Sequence, residues 1–167
     1  PGAPGPGAAG YQYAGPAGAP AGPPKEALAG FWIRFVGALL DGIILSVVAW
    51  VVASLLGVDT TNSSSVSTLL GLVYFTYFHA TIAGQTVGNR LVGIRIADAT
   101  SGGPIPYSRA FIRYLMSIVS AIPLALGYLW MLWDDRRQTW HDKVASTLVV
   151  RTSYYPPPGD FGKPQSS

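Results

Sequence analysis

The sequence lacks cysteine and is poor in charged residues, and both absences restrict what the protein can be. No cysteine and only two histidines are present, which excludes disulfides, thiolate metal sites and thiol nucleophiles and argues against a metal centre. Charged residues make up 11% of the chain, whereas soluble domains carry about 25%. A soluble surface with so little charge would expose large apolar patches to water. With 49% hydrophobic residues, the chain is predicted to be a membrane protein that uses neither a metal nor another cofactor.

The two ends of the chain differ in composition from the part between them. Residues 1–25 consist almost entirely of proline, glycine and alanine, and residues 153–167 are again rich in proline. Such segments cannot bury enough apolar surface to offset the chain entropy lost on folding, so both are predicted to be disordered tails. One membrane domain is then expected at residues 26–152.

Two apolar stretches predict membrane-spanning helices. Residues 28–56 exceed the roughly 20 residues that a helix needs to cross a bilayer. Residues 68–83 form a shorter helix, which can cross if the preceding loop, residues 57–67, contributes a turn. That loop is polar and contains no lysine or arginine.

Two short stretches rich in β-branched residues, 91–97 and 147–151, predict strands. Because a lone strand is unstable, we expect them to pair and therefore to lie on the same side of the membrane. A single crossing by the third apolar region, residues 111–133, would separate them. Pro123, near its centre, permits an alternative in which the region breaks into a re-entrant hairpin, or into a third and a fourth span, and returns.

The positions of the basic residues favour the hairpin, because lysine and arginine concentrate in cytoplasmic loops. A hairpin places all eleven lysines and arginines in the cytoplasm, whereas a single crossing leaves the basic residues after residue 133 outside. Lys25 and Arg34 precede or open the first helix; the second group is Arg90, Arg95, Arg109 and Arg113; the last is Arg136, Arg137, Lys143, Arg151 and Lys163.

These elements predict an all-α, polytopic protein of the bacterial cytoplasmic membrane. It has two transmembrane helices, a third helical region broken by proline, and a small two-stranded cytoplasmic β element. The N terminus and the C terminus are predicted to be cytoplasmic, and residues 57–67 to lie outside the cell.

The first helix carries two charges, Arg34 and Asp41, within an apolar sequence. Positions seven apart share a helix face but lie about 10 Å apart along the axis, so each side chain needs its own partner. Arg34 can reach the cytoplasmic headgroups. An ionised aspartate near the bilayer centre costs roughly 2.5 to 3.5 kcal/mol, so Asp41 should face the protein interior and find a cation or a donor, or be protonated.

Basic residues elsewhere supply candidate partners for this carboxylate. Arg109 and Arg113, four residues apart, share a helix face. The segment WDDRRQTWHDKVAST has mixed charge, which predicts an ordered ion-pair cap over the helices rather than a lipid-binding patch. The full set of possible partners is His79, Arg109, Arg113, Arg136, Arg137 and His141.

Three motifs in order resemble the RDD family of small membrane proteins, mainly bacterial. They are Arg34 with Asp41, then GQTVGNRLVGIRIADATSGGPIPYSRAFIRYL, then DDRRQTWHDKVASTLVV, and together they cover about residues 27–151. The resemblance implies that Arg34, Asp41 and Asp142 are the arginine and the two aspartates for which the family is named, and hence its functional polar residues.

What the resemblance implies about activity leaves two hypotheses. The first is a non-catalytic accessory, assembly or interaction subunit in which the three residues form structural ion pairs. The alternative is a transport-related protein, exchanging cations and protons or carrying a small solute, with Asp41 as the ion or proton site and Arg34 and Asp142 gating or neutralising it. Both predict the lipid bilayer and either further copies of the chain or a larger complex as partners, and no nucleic acid. An enzyme is not expected, because GQTVG lacks the spacing of a phosphate loop and His141 has no nucleophile at a motif-like distance.

Overall fold

The computed structural model describes residues 23–57, 63–81, 83–121 and 126–157. Its longest element is helix α1, Phe31–Leu56, with a mean hydropathy of 2.3 over its most apolar window. Among the described residues it is the one helix long and apolar enough to cross a membrane. Gly57 ends it in the left-handed conformation, with φ 63°, and its amide bonds the carbonyls of Ala53 and Ser54. The helix begins after residue 28, where it was predicted to start, because Leu28 pairs instead with Val150 in a β-bridge.

Helix α1 is buried along one narrow face and exposed elsewhere. The buried positions are Gly37, Asp41, Ala49 and Ala53, which are small residues apart from the one carboxylate. Large apolar side chains such as Trp50, which is 71% exposed, cover the rest of its surface. Such a helix suits an apolar surrounding, and only its small-residue face can approach the rest of the protein closely.

Helices α2, Ser63–Ala80, and α4, Tyr107–Ala121, pack against each other. The rings of Phe75 and Tyr114 stack with centroids 5.7 Å apart. Helix α2 begins before the predicted residue 68. Helix α4 begins at Tyr107, directly after Pro106, whose carbonyl accepts the first helical hydrogen bonds.

Strands β1, Ile94–Asp98, and β2, Thr147–Arg151, form an antiparallel pair. The sequence predicted that the two strands pair, but it placed the first at residues 91–97, and β1 begins three residues later because Leu91 ends a short helix. In their register Ile96 faces Val149. The core around this sheet contains buried apolar residues of both strands, together with Leu28, Ala29, Ile105 and Ala110. The sheet therefore joins segments from the beginning, middle and end of the domain.

Each strand is preceded by a short helix that the sequence analysis did not anticipate. Helix α3, Val87–Leu91, is capped by Thr86, and helix α6, Trp140–Val144, is capped by Thr139. Two stretches, residues 85–98 and 138–151, thus have the same order of glutamine, capping threonine, five-residue helix and strand. We call them the first and second Gln-Thr units.

The two units also share their hydrogen bonds. In the first unit Gln85 Nε2 donates to the Ile94 carbonyl at 2.8 Å, and in the second Gln138 Nε2 donates to the Thr147 carbonyl at 2.8 Å. A residue with positive φ separates helix from strand in both cases, Gly93 in the first and Ser146 in the second. The small sheet is therefore a pair of similar units facing each other.

After α4 the chain folds back along that helix. A short helix α5, Leu126–Leu129, leads into a 3-10 turn, Trp130–Leu132. The Tyr128 hydroxyl donates to the Ser117 carbonyl at 3.1 Å, and Gly127 lies against Ser120, where a Cβ on the glycine would come within 2.6 Å of the serine Cβ. These contacts match the hairpin alternative, although Pro123 itself lies outside the described residues.

Most of the predicted tails, residues 1–22 and 158–167, also lies outside the described residues. Within the segment assigned to the C-terminal tail, Tyr155 packs against the sheet, and its carbonyl accepts a hydrogen bond from Arg95 Nε at 2.9 Å.

Candidate functional site

Arg34 is bound to the second Gln-Thr unit. Its Nη1 donates to Asp142 Oδ2 at 2.6 Å, its Nη2 to the Arg137 carbonyl at 2.6 Å, and its Nε to the Ala29 carbonyl at 3.2 Å. The expectation that Arg34 reaches the lipid headgroups is therefore wrong. The pairing of β2 with β1 brings α6 over the start of α1, so a protein carboxylate takes the place of the headgroups.

Asp142 is fully buried and accepts bonds from two arginines. Arg113 Nη1 binds the oxygen Oδ1, while Oδ2 receives Arg34 as well as the Thr139 amide at 3.0 Å and hydroxyl at 2.8 Å. Thr139 and Asp142 form a reciprocal capping box at the start of α6. Because one carboxylate neutralises two guanidinium groups only in part, this buried cluster carries one positive charge in excess.

Asp41 is held separately, by the first Gln-Thr unit. It is 1% exposed and accepts hydrogen bonds from the Thr86 hydroxyl at 2.6 Å, the Gly88 amide at 2.7 Å and the Tyr74 hydroxyl at 2.7 Å. All three donors are neutral. Among the described residues no ion pair involves Asp41, so of the expected partners, a cation or a donor, the structure shows donors.

The basic residues proposed as partners of Asp41 bind elsewhere. Arg109 pairs with Asp98 and also donates to the carbonyls of Ala145 and Ser146. Arg136 donates to the Ala99 carbonyl at 2.8 Å, and Arg137 to the Leu28 carbonyl at 3.0 Å. The mixed charge of this segment predicted an ordered ion-pair cap; Lys143 and Asp134 form an ion pair there, whereas the contacts given for Arg136 and Arg137 are hydrogen bonds to backbone carbonyls.

The two histidines line a single cavity of about 520 Å³. His79 comes from α2 and His141 from α6, and both are buried. Burial, and then the positive charges of Arg113 and Arg34, hold the pKa of His141 well below its usual value, so its ring is neutral near pH 7. The Nδ1 atoms of both histidines have no hydrogen-bond partner within the described part of the chain.

The cavity connects the two clusters around Arg34 and Asp41. Arg34, Asp41 and Arg113 all contribute to its wall. The rest of the wall is mostly apolar and includes Phe31, Phe35, Phe75, Ile94, Ile96, Leu129 and Met131. The described residues contain no group of three side chains of the types that commonly bind metal ions.

Sequence reasoning found the charged residues of these clusters but missed the neutral ones. Thr86, Gly88 and Tyr74 hold Asp41, and Thr139 supports Asp142. One signal was available, because threonine followed by an acidic residue three positions later has the spacing of a capping box. Nothing comparable marks Tyr74, whose position depends on how α2 packs beside α1.

Comparisons with known proteins identify a family and several relatives of this chain. The sequence model of the RDD family matches residues 28–146. The uncharacterized protein YckC of Bacillus subtilis is 33% identical over 138 residues, which is 79% of this chain and 87% of YckC. The uncharacterized membrane protein YteJ of the same species is 27% identical over 147 residues, covering 78% of this chain and 85% of YteJ.

The proline-rich antigen homolog of Mycobacterium tuberculosis is 34% identical over 87 residues, 52% of this chain. That stretch spans 36% of the mycobacterial protein. No solved structure matches. Because the family model covers both carboxylates and the arginine described above, together with most of the folded chain, the protein belongs to the RDD family.

Proposed function

We propose that the protein is a non-catalytic accessory or assembly subunit of the cytoplasmic membrane, in which Arg34, Asp41 and Asp142 hold the domain together. The observation that carries this proposal is that both carboxylates are buried and surrounded by donors from distant parts of the chain. A carboxylate with three donors at 2.6–2.7 Å, as at Asp41, is already satisfied. Each cluster fastens α1 to one Gln-Thr unit.

The exposed surface of α1 supplies the interaction face in this proposal. Trp32, Trp50 and Leu55 are more than two-thirds exposed, at 74%, 71% and 81%. Lipid can cover such a surface, and so can the helices of another membrane protein or of a second copy of this chain. Purification of the full chain in a mild detergent, followed by identification of the chains that co-purify, tests the role directly. A stable complex, with itself or with other chains, is expected; a lone monomer in every mild detergent would oppose an assembly role.

The proposed topology places both termini in the cytoplasm and residues 57–67 outside, and it predicts a labelling pattern. Because the chain has no cysteine, single cysteines can be introduced without background. Thr100→Cys and Ser153→Cys, which flank the paired strands, should react with a membrane-impermeant maleimide only after the cells are opened. Ser65→Cys, at the start of α2, should react in intact cells. Labelling of Thr100→Cys and Ser153→Cys from opposite sides would rule out the hairpin.

Transport is the second candidate, and one observation favours it: Asp41 and His79 line the same cavity. Under this alternative Asp41 takes up a proton or cation from that cavity. The size of the domain then requires several copies to enclose a path across the bilayer.

Replacing Asp41 with asparagine separates the two candidates. Asparagine is about as large as aspartate, but its amide NH2 group would face groups that are themselves hydrogen-bond donors. Under the structural proposal we therefore expect the amount of folded protein in membranes to fall several-fold. Under transport the protein persists and only ion flux into vesicles is lost. Immunoblotting of membranes, together with flux measured in vesicles at equal protein content, gives both readings. Normal abundance with lost flux would favour transport over our proposal.

A further inference from the structure

The cavity between the two clusters has a charged end and an apolar body. Arg113 and the two histidines lie near one another and form the charged end, and most of the other lining residues are aromatic or aliphatic. Phe35 lines the cavity and is also 49% exposed, so the cavity is not closed off from the surroundings of α1. A volume of about 520 Å³ falls within the range of sites that bind small organic ligands.

The charged end favours an anion. Two arginines share the single carboxylate of Asp142, which leaves a positive charge in excess at this end of the cavity. The negative charge of Asp41 also lies on the cavity wall, but it belongs to the separate cluster in which three neutral donors hold it. Within the described part of the chain, the hydrogen bonds of Arg113 all come from Nη1, which leaves Nε and Nη2 available. Those two nitrogens form one edge of a guanidinium, the geometry that binds carboxylates and phosphates through two parallel bonds. All three nitrogens of Arg34, by contrast, are already occupied.

The histidines extend the same polar end. His79 and His141 are more than nine-tenths buried, and each has an Nδ1 without a partner among the described residues. Burying imidazole rings with an unpartnered nitrogen is costly, and the two rings make this part of the cavity wall polar, which suits a polar head group better than an alkyl chain. The other titratable groups facing the cavity are Asp41, whose oxygens already accept three bonds, and the hydroxyls of Tyr114 and Tyr128.

We propose that this cavity binds a single-chain amphiphile with an anionic head group, the head at Arg113 and the two histidines and the chain along the apolar wall. A small inorganic anion would leave the apolar body uncovered, and a neutral lipid would leave the positive charge unpaired. The head can be a carboxylate, as in a fatty acid, or a phosphate, as in a lysophospholipid. This inference is independent of the assembly role, because a scaffold and a transporter can each hold such a ligand.

The test uses three probes with the same chain and different heads. The full-length protein is placed in nanodiscs of phosphatidylcholine, and binding of radiolabelled oleate, oleyl phosphate and oleyl alcohol is measured, with empty nanodiscs subtracted, at a pH where the carboxylate is ionised. At least one anion should bind about tenfold more tightly than the alcohol, as expected for charge-assisted bonds. Whichever of oleate and oleyl phosphate binds more tightly shows whether the preferred head group is a carboxylate or a phosphate. Equal binding of the alcohol and both anions, or no binding above empty nanodiscs, overturns the proposal.

Two neighbouring substitutions locate the binding site. Ala38 and Leu39 are both exposed, but Ala38 lines the cavity and Leu39 is absent from the cavity wall. Ala38→Trp should fill the apolar body and abolish anion binding, and Leu39→Trp, the same change one position away, should leave it unaltered. His79→Phe, which keeps a ring but removes the nitrogens, should weaken anion binding about fivefold and leave the alcohol unchanged. Unaltered anion binding by a folded Ala38→Trp protein would show that the anion binds elsewhere.

Discussion

The substitution Asp142→Asn is expected to lower the free energy of unfolding by about 3 to 5 kcal/mol, because it leaves two buried guanidinium groups without their shared counter-charge. Asp142 accepts bonds from Arg34 and Arg113 and is fully buried. Asparagine preserves the size of the side chain but removes its charge, and its amide nitrogen cannot accept any of the bonds that the second oxygen now receives. Since proteins have only about 5 to 15 kcal/mol of stability, the effect should be visible as lost abundance and a lower melting temperature in detergent.

A matched control is available in the same segment. Asp135 pairs with Lys25 at 2.9 Å, but its side chain is 92% exposed. Exposed ion pairs contribute about 0 to 1 kcal/mol, so Asp135→Asn should leave the melting temperature almost unchanged. If the two substitutions cost the same, the second Gln-Thr unit does not depend on its buried ion pairs.

The substitution Gly88→Ala is expected to cost about 3 kcal/mol or more, although it adds a single methyl group. A Cβ on Gly88 would lie 2.8 Å from Asp41 Cγ and would also collide with the Gly37 carbonyl oxygen. Helix α3 would have to move away from α1, which lengthens the bond from the Gly88 amide to Asp41. Overpacking typically costs about 1 to 3 kcal/mol, and loss of a bond to a charged group costs a further 1.5 to 3 kcal/mol.

Gly42 provides the comparison for this change. It lies in α1 next to Asp41, and a Cβ there would meet nothing within 4 Å. Gly42→Ala should therefore be neutral or should stabilise the protein by about 0.5 to 1 kcal/mol, since alanine favours a helix over glycine. Thermal unfolding of the two alanine variants in the same detergent compares them directly. A Gly88→Ala protein as stable as Gly42→Ala would mean that α3 and α1 are not in close contact.

The strands and the charged residues of the site could be predicted because their signals are local. Residues 147–151 have the β-branched composition of a strand, and the strand occupies those positions in the structure. Arg34 and Asp41 are conspicuous because charges are rare within apolar helices. The spacing of seven residues also predicted correctly that they have separate partners.

The partners themselves could not be predicted, because they depend on tertiary packing. Arg34 and Asp142 are 108 residues apart in sequence, and the pairing of β1 with β2 and the packing of α6 on α4 bring them together. Asp41 was expected to find a cation or a donor, or to be protonated, and the sequence could not choose among these because the donors lie far from it along the chain. Thr86 and Tyr74 are ordinary residues in the sequence and become donors to Asp41 only in the folded chain.

The two Gln-Thr units explain why one helix carries both an arginine and an aspartate. Helix α3 of the first unit packs against α1, whereas α6 of the second unit packs against α4 and is linked to α1 through the ion pair of Arg34 and Asp142. The first unit offers donors, the Thr86 hydroxyl and the Gly88 amide, and therefore binds a carboxylate. The second has Asp142 at the third position of its short helix, where the first has Asn89, and therefore binds a guanidinium. The aspartate of α1 therefore binds the unit that offers hydrogen-bond donors, and the arginine of α1 binds the unit that offers a carboxylate.

The central claim is that two separate clamps hold α1 in place. One is the ion pair of Arg34 with Asp142, and the other is the set of hydrogen bonds that Asp41 accepts from the first unit. Double-mutant cycles test this claim most directly. Unfolding free energies would be measured for Arg34→Gln, Asp41→Asn and Asp142→Asn, singly and in pairs. We expect a coupling energy of about 1.5 kcal/mol or more between Arg34 and Asp142, and about 0.5 kcal/mol or less between Arg34 and Asp41. Strong coupling between Arg34 and Asp41 would instead show one continuous charged network, as a transport path requires, and would contradict the account of two independent clamps.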